Sequence, residues 1–237
     1  MALGKRKRYT PKTGRNKRRR RFRRKLAISP RERYTPFIMP NKWKCKLRYF
    51  EIFSLNPGAG TADHRVFSAT GLYDPDITGA GHQPRGFDQI MQFYNHYVVI
   101  GSKATLRFMP IGATNANTSL FGISLNDSAT AMTSSTLEDF METKFASKRK
   151  GIAGLVYQGS YTKDAMVTKT FSHKKFFRKP ANDTEFQGTA SSNPTDQAYF
   201  TCSAYSPDEA TDSGAVNYHV VIDYICLFTE PKLVPVS

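Results

Sequence analysis

Residues 42–49, KWKCKLRY, alternate a cation with an apolar or aromatic side chain at every position. An extended strand places successive side chains on opposite faces and so separates the two sets, whereas a helix mixes them around its axis. Lys42, Lys44, Lys46 and Arg48 then share one face, and Trp43, Cys45, Leu47 and Tyr49 the other, which should look into the core of a sandwich. Phe50 and Ile52 stand on the charged side, so the register is expected to shift there and the charged face to end.

Seven further runs read as strands: HRVFSATGLY (64–73), YVVIGSKATLRFMPI (97–111), SLFGISLN (119–126), GLVYQGSYT (154–162), DAMVTKTFSHKKFF (164–177), AYFTCSAYS (198–206) and VNYHVVIDYICLFTE (216–230). Clusters of Gly, Pro, Asn, Asp and Ser separate them, as turns require. Helical spacing occurs twice. GFDQIMQFYNH (86–96) puts Phe87, Ile90, Met91 and Tyr94 on one stripe. SSTLEDFMETKF (134–145) opens with Ser135-x-x-Glu138, a capping-box pattern, and groups Leu137, Phe140 and Met141. Each helix should be two or three turns long. With no internal repeat and no strand–helix alternation, the fold class is all-β: an eight-stranded antiparallel jelly-roll sandwich with two short loop helices.

Charge is segregated. The chain carries a formal net charge of +16, yet 14 of its 35 basic residues fall between Lys5 and Lys25, and the first acidic residue is Glu32. From Leu26 onward the other 21 basic groups face all 19 acidic ones. Residues 1–40 therefore read as a disordered basic arm ending in a Pro-rich connector, SPRERYTPFIMP, and residues 41–237 as the folded domain. The domain, about 200 residues, is long enough to bury roughly 70% of its unfolded surface in one core.

The arm residues Lys5, Arg6, Lys7, Arg8, Lys12, Arg15, Lys17, Arg18, Arg19, Arg20, Arg21, Arg23, Arg24 and Lys25 form a phosphate-neutralising series. Such a series binds polyanions without sequence preference and in a salt-sensitive way. Nine of the 14 are Arg, whose fork grips a phosphate bidentately. Phe22, between Arg21 and Arg23, can stack on an unpaired base. Lys42, Lys44, Lys46 and Arg48 would extend the same surface onto the rigid domain. Lys5–Arg6–Lys7–Arg8 and Lys17–Arg18–Arg19–Arg20–Arg21 also make the two-cluster pattern of a nuclear localisation signal. Two further basic–aromatic stretches, KFASKRKG (144–151) and HKKFFRKP (173–180), read equally well as nucleic-acid surface or as solvated loops.

Cys45, Cys202 and Cys226 lack the spacing of a zinc ribbon or a disulfide framework, and Cys45 and Cys226 in strand runs read as buried free thiols. His64, His82, His96, His173 and His219 are scattered, with no H-E-x-x-H pair and no nucleophile elbow. Asp74-x-Asp76 lacks the rest of a calcium loop, and Asp208, Glu209 and Asp212 form an acidic loop cluster that could hold a divalent ion between subunits but more often is simply solvated. Asp74 and His82 are loop-ordering groups. No enzyme, metal or cofactor is indicated. A cationic start with no apolar run behind it, and apolar runs too short to span a bilayer, point to a protein made inside the cell and not inserted in a membrane. The three N-x-Ser/Thr matches, at Asn117, Asn126 and Asn182, then carry no meaning.

The stretch GLYDPDITGAGHQPRGFDQIMQFYNHYVVIGSK (71–103), with FTEPK (228–232) and the Arg-rich start, resembles the capsid proteins of circular Rep-encoding single-stranded DNA viruses, the circovirus-like group. That resemblance implies a jelly-roll subunit, a homo-oligomeric icosahedral shell and a packaged single-stranded DNA genome. It also implies a place in the virion, and in the host nucleus during assembly through nuclear import receptors. The smallest icosahedral shell has roughly sixty copies. The loops between 111 and 215 match nothing in that group, so no host receptor is implied. The irregular backbone of 71–86 should be covered, by another subunit, the alternative being a long surface loop. Two other classes fit the arm: a cellular basic nucleic-acid-binding protein, ribosomal or chromatin-like, and a viral nuclear-shuttle protein. The first would usually spread basic patches over its folded part, and the second would not form shells.

Overall fold

The computed structural model describes residues 39–109, 119–130, 136–143, 151–153, 166–208 and 210–233. Eight strands run through them: β1 (Lys42–Leu55), β2 (Asp63–Ser68), β3 (Tyr94–Met109), β4 (Ser119–Asn126), β5 (Gly151–Ala153), β6 (Met166–Ser172), β7 (Tyr199–Tyr205) and β8 (Val216–Pro231). They form two four-stranded antiparallel sheets, ordered β1-β8-β3-β6 and β2-β7-β4-β5. From β1 to β6 the chain stays within one sheet only in passing from β4 to β5, and the last strand inserts between the first and third. This is the jelly-roll connectivity.

Alternation explains why these segments are strands. Along β8, every second residue from Val216 to Phe228 is buried while those between are half-buried. The core is rich in aromatic rings from both sheets: Phe53 of β1 packs on Phe67 of β2 at 5.5 Å, and Tyr218 of β8 on Phe121 of β4 at 5.2 Å. In β1, Leu47, Tyr49, Phe53 and Leu55 are buried, with Cys45 half-buried and Trp43 exposed at the strand's start. Cys45 lies opposite Cys226 across the β1–β8 ladder, and all three cysteines are free thiols.

Several boundaries differ from the sequence reading. The β1–β8 register runs unbroken from Lys42 to Leu55, so Phe50 and Ile52 simply continue the outward face and Glu51 takes the inward place. Helix α1 (Phe87–Met91) is five residues long, because Tyr94 and Tyr97 are drawn into the ladder against Pro231 and Phe228. Helix α2 (Leu137–Glu142) is capped one residue later than expected: Thr136 accepts from the Asp139 amide and Asp139 from the Thr136 amide. A third helix, α3 (His173–Phe176), ends the run read as a continuous strand. The strand expected at 154–162 lies outside the described residues, as do the stretch 144–150 and residues 1–38 of the arm and connector.

β2 stops at Ser68 because the chain turns there: the Gly71 amide donates to Ser68 Oγ at 2.7 Å, and the returning chain pairs with β2 through Ser68 N to Pro75 O. Residues 69–72, Pro75, Asp76, Pro84 and Phe87 are buried within the domain itself, while Tyr73 and Ile77 stay exposed. Tyr97 holds the loop from the sheet side, its hydroxyl accepting from the Leu72 amide at 3.0 Å. A Cβ at Gly188 would lie 2.3 Å from the Tyr97 ring, so that contact needs glycine. β3 reaches this point through a bulge between Val99 and Gly101.

A buried charge cluster fastens the loop to both sheets. Asp76, fully buried, accepts from Arg65 Nη2 at 2.5 Å and from the Thr78 amide at 3.1 Å, and Arg65 also reaches Glu51 at 3.4 Å. Burial raises the Glu51 carboxyl above the usual carboxylate range, and the Tyr49 hydroxyl bonded to it works the other way. Asp76→Ala would leave Arg65 facing Glu51 alone and should cost about 3 kcal/mol of stability. Thermal denaturation of the variant checks this, and an unchanged midpoint would show that the cluster contributes nothing.

Candidate nucleic-acid interface

Lys42, Lys44 and Lys46 project from the outward face of β1 and are exposed, as the alternation requires. Arg48 shares that face but is not an open cation: its Nε donates to Asp223 of β8 at 2.6 Å. The effective stripe is thus three lysines followed by an ion pair.

The sheet order enlarges the site. β8 lies between β1 and β3, so Lys103 is in register with Asp223, and Arg107 with His219, on the same outward face. Neither cation makes an ion pair with a described residue. The outward face of β1-β8-β3-β6 therefore collects six basic side chains against one carboxylate within the strands' middle, that of Asp223, which Arg48 already occupies. Lys103 and Arg107 were visible in the alternation of GSKATLRFM, but nothing local indicates that this strand lies next but one to β1. Burial, with Arg107 beside it, holds His219 below the usual histidine range.

HKKFFRKP builds a second site. Phe176 and Phe177 of the α3 turn, Lys175, Arg178 and Lys169 of β6 line a cavity of about 710 Å³ that reaches the end of β4 at Asn126 and Asp127. Arg178 has a left-handed backbone, φ 57°. His173 is buried against Phe177 at 5.1 Å and Phe186 at 4.6 Å, and its Nε2 has no partner among the described residues.

The remaining candidates are structural. Asp208 accepts from the Thr211 hydroxyl and amide, from Ser206 Oγ and from the Ala210 amide, which together hold its carboxyl far below the usual range and commit it to its own loop. Glu209 lies outside the described residues. His82 stacks on Tyr49 at 4.8 Å, and the Asp74 backbone is held by Asn193, whose amide nitrogen donates to the Asp74 carbonyl at 3.0 Å. Asn126 is buried, its side chain donating to Ser124 and Thr201. Among the described residues no three His, Cys, Asp or Glu side chains converge as metal ligands, and no helix is long and apolar enough to cross a membrane.

No protein-family model and no curated protein matches the chain. Solved structures to which the chain is similar include two viruses and one viral capsid protein. Desmodium yellow mottle tymovirus matches at 12% identity and TM-score 0.41, over 85% of this chain and 95% of its own. Cocksfoot mottle virus matches at 13% and 0.47, over 81% and 96%. The BFDV capsid protein, solved as a 60-mer, matches at 11% and 0.43, over 85% and 100%.

Burial lowers the folded-state pKa of His173, with Asp183 pulling weakly the other way. The unfolded chain therefore takes up the proton first. The contribution of a neutral His173 is complete above about pH 6.5 and is lost as the pH falls towards the lowered folded value. Melting midpoints between pH 7.5 and 5.5, on the order of the histidine range, should fall less for His173→Phe than for the natural chain. Parallel curves would refute the assignment.

Proposed function

We propose that this chain is the coat subunit of a small single-stranded DNA virus, assembling through its jelly-roll domain (41–237) and packaging the genome through its basic arm (1–40). The observation that carries the reading is the coupling of a 14-cation arm to a jelly roll whose first strand begins at Lys42 and opens a basic sheet face. The same chain segment thus delivers the arm and starts the face. The sequence resemblance of residues 71–103 points the same way.

In this mechanism Lys5 to Lys25 neutralise phosphates and release their counterions, while Lys42, Lys44 and Lys46, joined by Lys103 and Arg107, hold the strand against the shell. Arg48 serves the sheet more than the genome, since Asp223 already takes its charge. A shell of roughly sixty copies is the smallest icosahedral closure. Its arms then neutralise on the order of a thousand phosphates, suited to a small genome. The clusters at Lys5–Arg8 and Lys17–Arg21 serve as the nuclear address before assembly. No catalytic role is assigned.

Light scattering and negative-stain microscopy of the full chain should show closed particles carrying nucleic acid. Monomers or dimers at every salt and pH would remove the shell. Deleting residues 1–28 should leave a folded domain but reduce the absorbance ratio of any particles to that of protein alone. Undiminished nucleic acid would move the binding function from the arm to the folded surface. Residues 1–28 fused to a fluorescent cargo should carry it into nuclei, and a cytoplasmic signal would eliminate the address.

A further inference from the structure

The basic sheet face also carries apolar groups that phosphate binding does not need. Phe50 and Ile52 of β1 are exposed by 45% and 54%, and Met166 of β6 by 45%. Phe50 and Ile52 are neighbours on β1, and Met166 shares the register row of Ile52 from the opposite edge of the sheet. Phe50 lies opposite Val221, and Ile52 opposite His219; beyond β8, Val221 faces Thr105, and His219 faces Arg107, itself opposite Met166. The Phe50 ring meets the His219 ring at 5.6 Å and 38°, forming a ledge of two aromatic faces. Lys46 and Arg48 lead up to the ledge on one strand, and Lys103 and Arg107 flank it on another.

We propose that the Phe50–His219 ledge is a stacking platform for unpaired nucleic-acid bases, so that this face selects single-stranded over double-stranded chains. This rests on the reading that the basic face binds nucleic acid. Phosphates engage the lysines and Arg107, and the attached bases turn onto the rings, where every base has a π-face to offer. A duplex keeps its bases inside and would leave the ledge exposed. A second copy meeting the same face would set Lys42, Lys44, Lys46, Lys103 and Arg107 against their own counterparts, a repulsive arrangement. Charge complementarity therefore favours a polyanion with aromatic parts over another copy of the chain. His219, kept neutral by burial and by Arg107, adds a ring without adding charge.

The test uses the full chain with an oligothymidylate containing 5-iodouracil, which cross-links under long-wave ultraviolet light to aromatic rings stacked on it. Peptide mapping should place adducts on Phe50 or His219. Phe50→Leu keeps apolar bulk and should weaken oligothymidylate binding roughly tenfold at high salt, where the arm is screened. The slope of log K against log salt should be unchanged, because no charge is removed. Binding of a duplex of equal charge should not change. Adducts confined to residues 1–38, or equal binding by Phe50→Leu, would overturn the platform and leave the nucleic-acid reading standing. No oligonucleotide binding by the natural chain would remove both. Loss of assembly in Phe50→Leu, with no adduct at Phe50 or His219 in the natural chain, would make the face a contact between copies and also overturn the proposal.

Discussion

The arrangement of β8 decides most of what this domain is. It pairs with β1 from Lys42 to Leu55 on one side and with β3 from Tyr94 to Met109 on the other. Its buried set, Tyr218, Val220, Ile222, Tyr224, Cys226 and Phe228, is wholly removed from solvent and supplies much of the core. Its other set faces outward and is largely uncharged. Because β8 occupies the middle, the cations of β1 and β3 stand two strand spacings apart, about 10 Å. That is close to a Debye length at physiological salt, so the two rows act on an approaching polyanion together.

Strand positions were legible because burial on one face writes a two-residue period into the sequence. β4 and β8 lie within a residue or two of where alternation places them, and β1 starts at Lys42 as alternation places it. Helices were less legible. The Phe87–Tyr94 stripe is real helical spacing, but its last member belongs to a strand, since pairing with β8 outweighs a local preference. In SSTLED two capping frames overlap, Ser135 with Glu138 and Thr136 with Asp139, and sequence alone does not choose between them. α3 went unseen because a single helical turn has no period to read. The candidate site was half legible: its β1 row is local, whereas Lys103, Arg107 and the partner of Arg48 enter only through sheet order, which non-local pairing decides.

Near-neutrality after residue 25 is an average that hides an arrangement. The acidic groups lie largely in loops and helices, such as Asp88, Glu138, Asp139, Asp183, Glu185, Asp208 and Asp212, and Glu51 turns inward. In one sheet the cations of β1 and β3 share the outward side, while Lys169 of β6 takes the other. A domain can thus be electrically quiet as a whole while offering one strongly positive face, so spread-out basic patches are not the only way for a folded part to take up nucleic acid. The charge-free ledge within that face shows the same economy of placement. Hydrophobic exposure is tolerated there because it is narrow and ringed by solvated groups.

The bulge at Ile100 has a further consequence. Before it, Tyr97 and Val99 point into the core; after it, Ser102, Ala104 and Leu106 do. One residue outside the ladder changes odd to even. It sets the phase between the half of β3 that grips the Leu72 loop and the half that carries Lys103 and Arg107. Were Ile100 paired normally, with the first half held fixed by Tyr97, both cations would turn into the aromatic core and Ala104 and Leu106 out to water. The bulge is the structural counterpart of a reading frame, and the β3 row of cations on that face depends on its being kept.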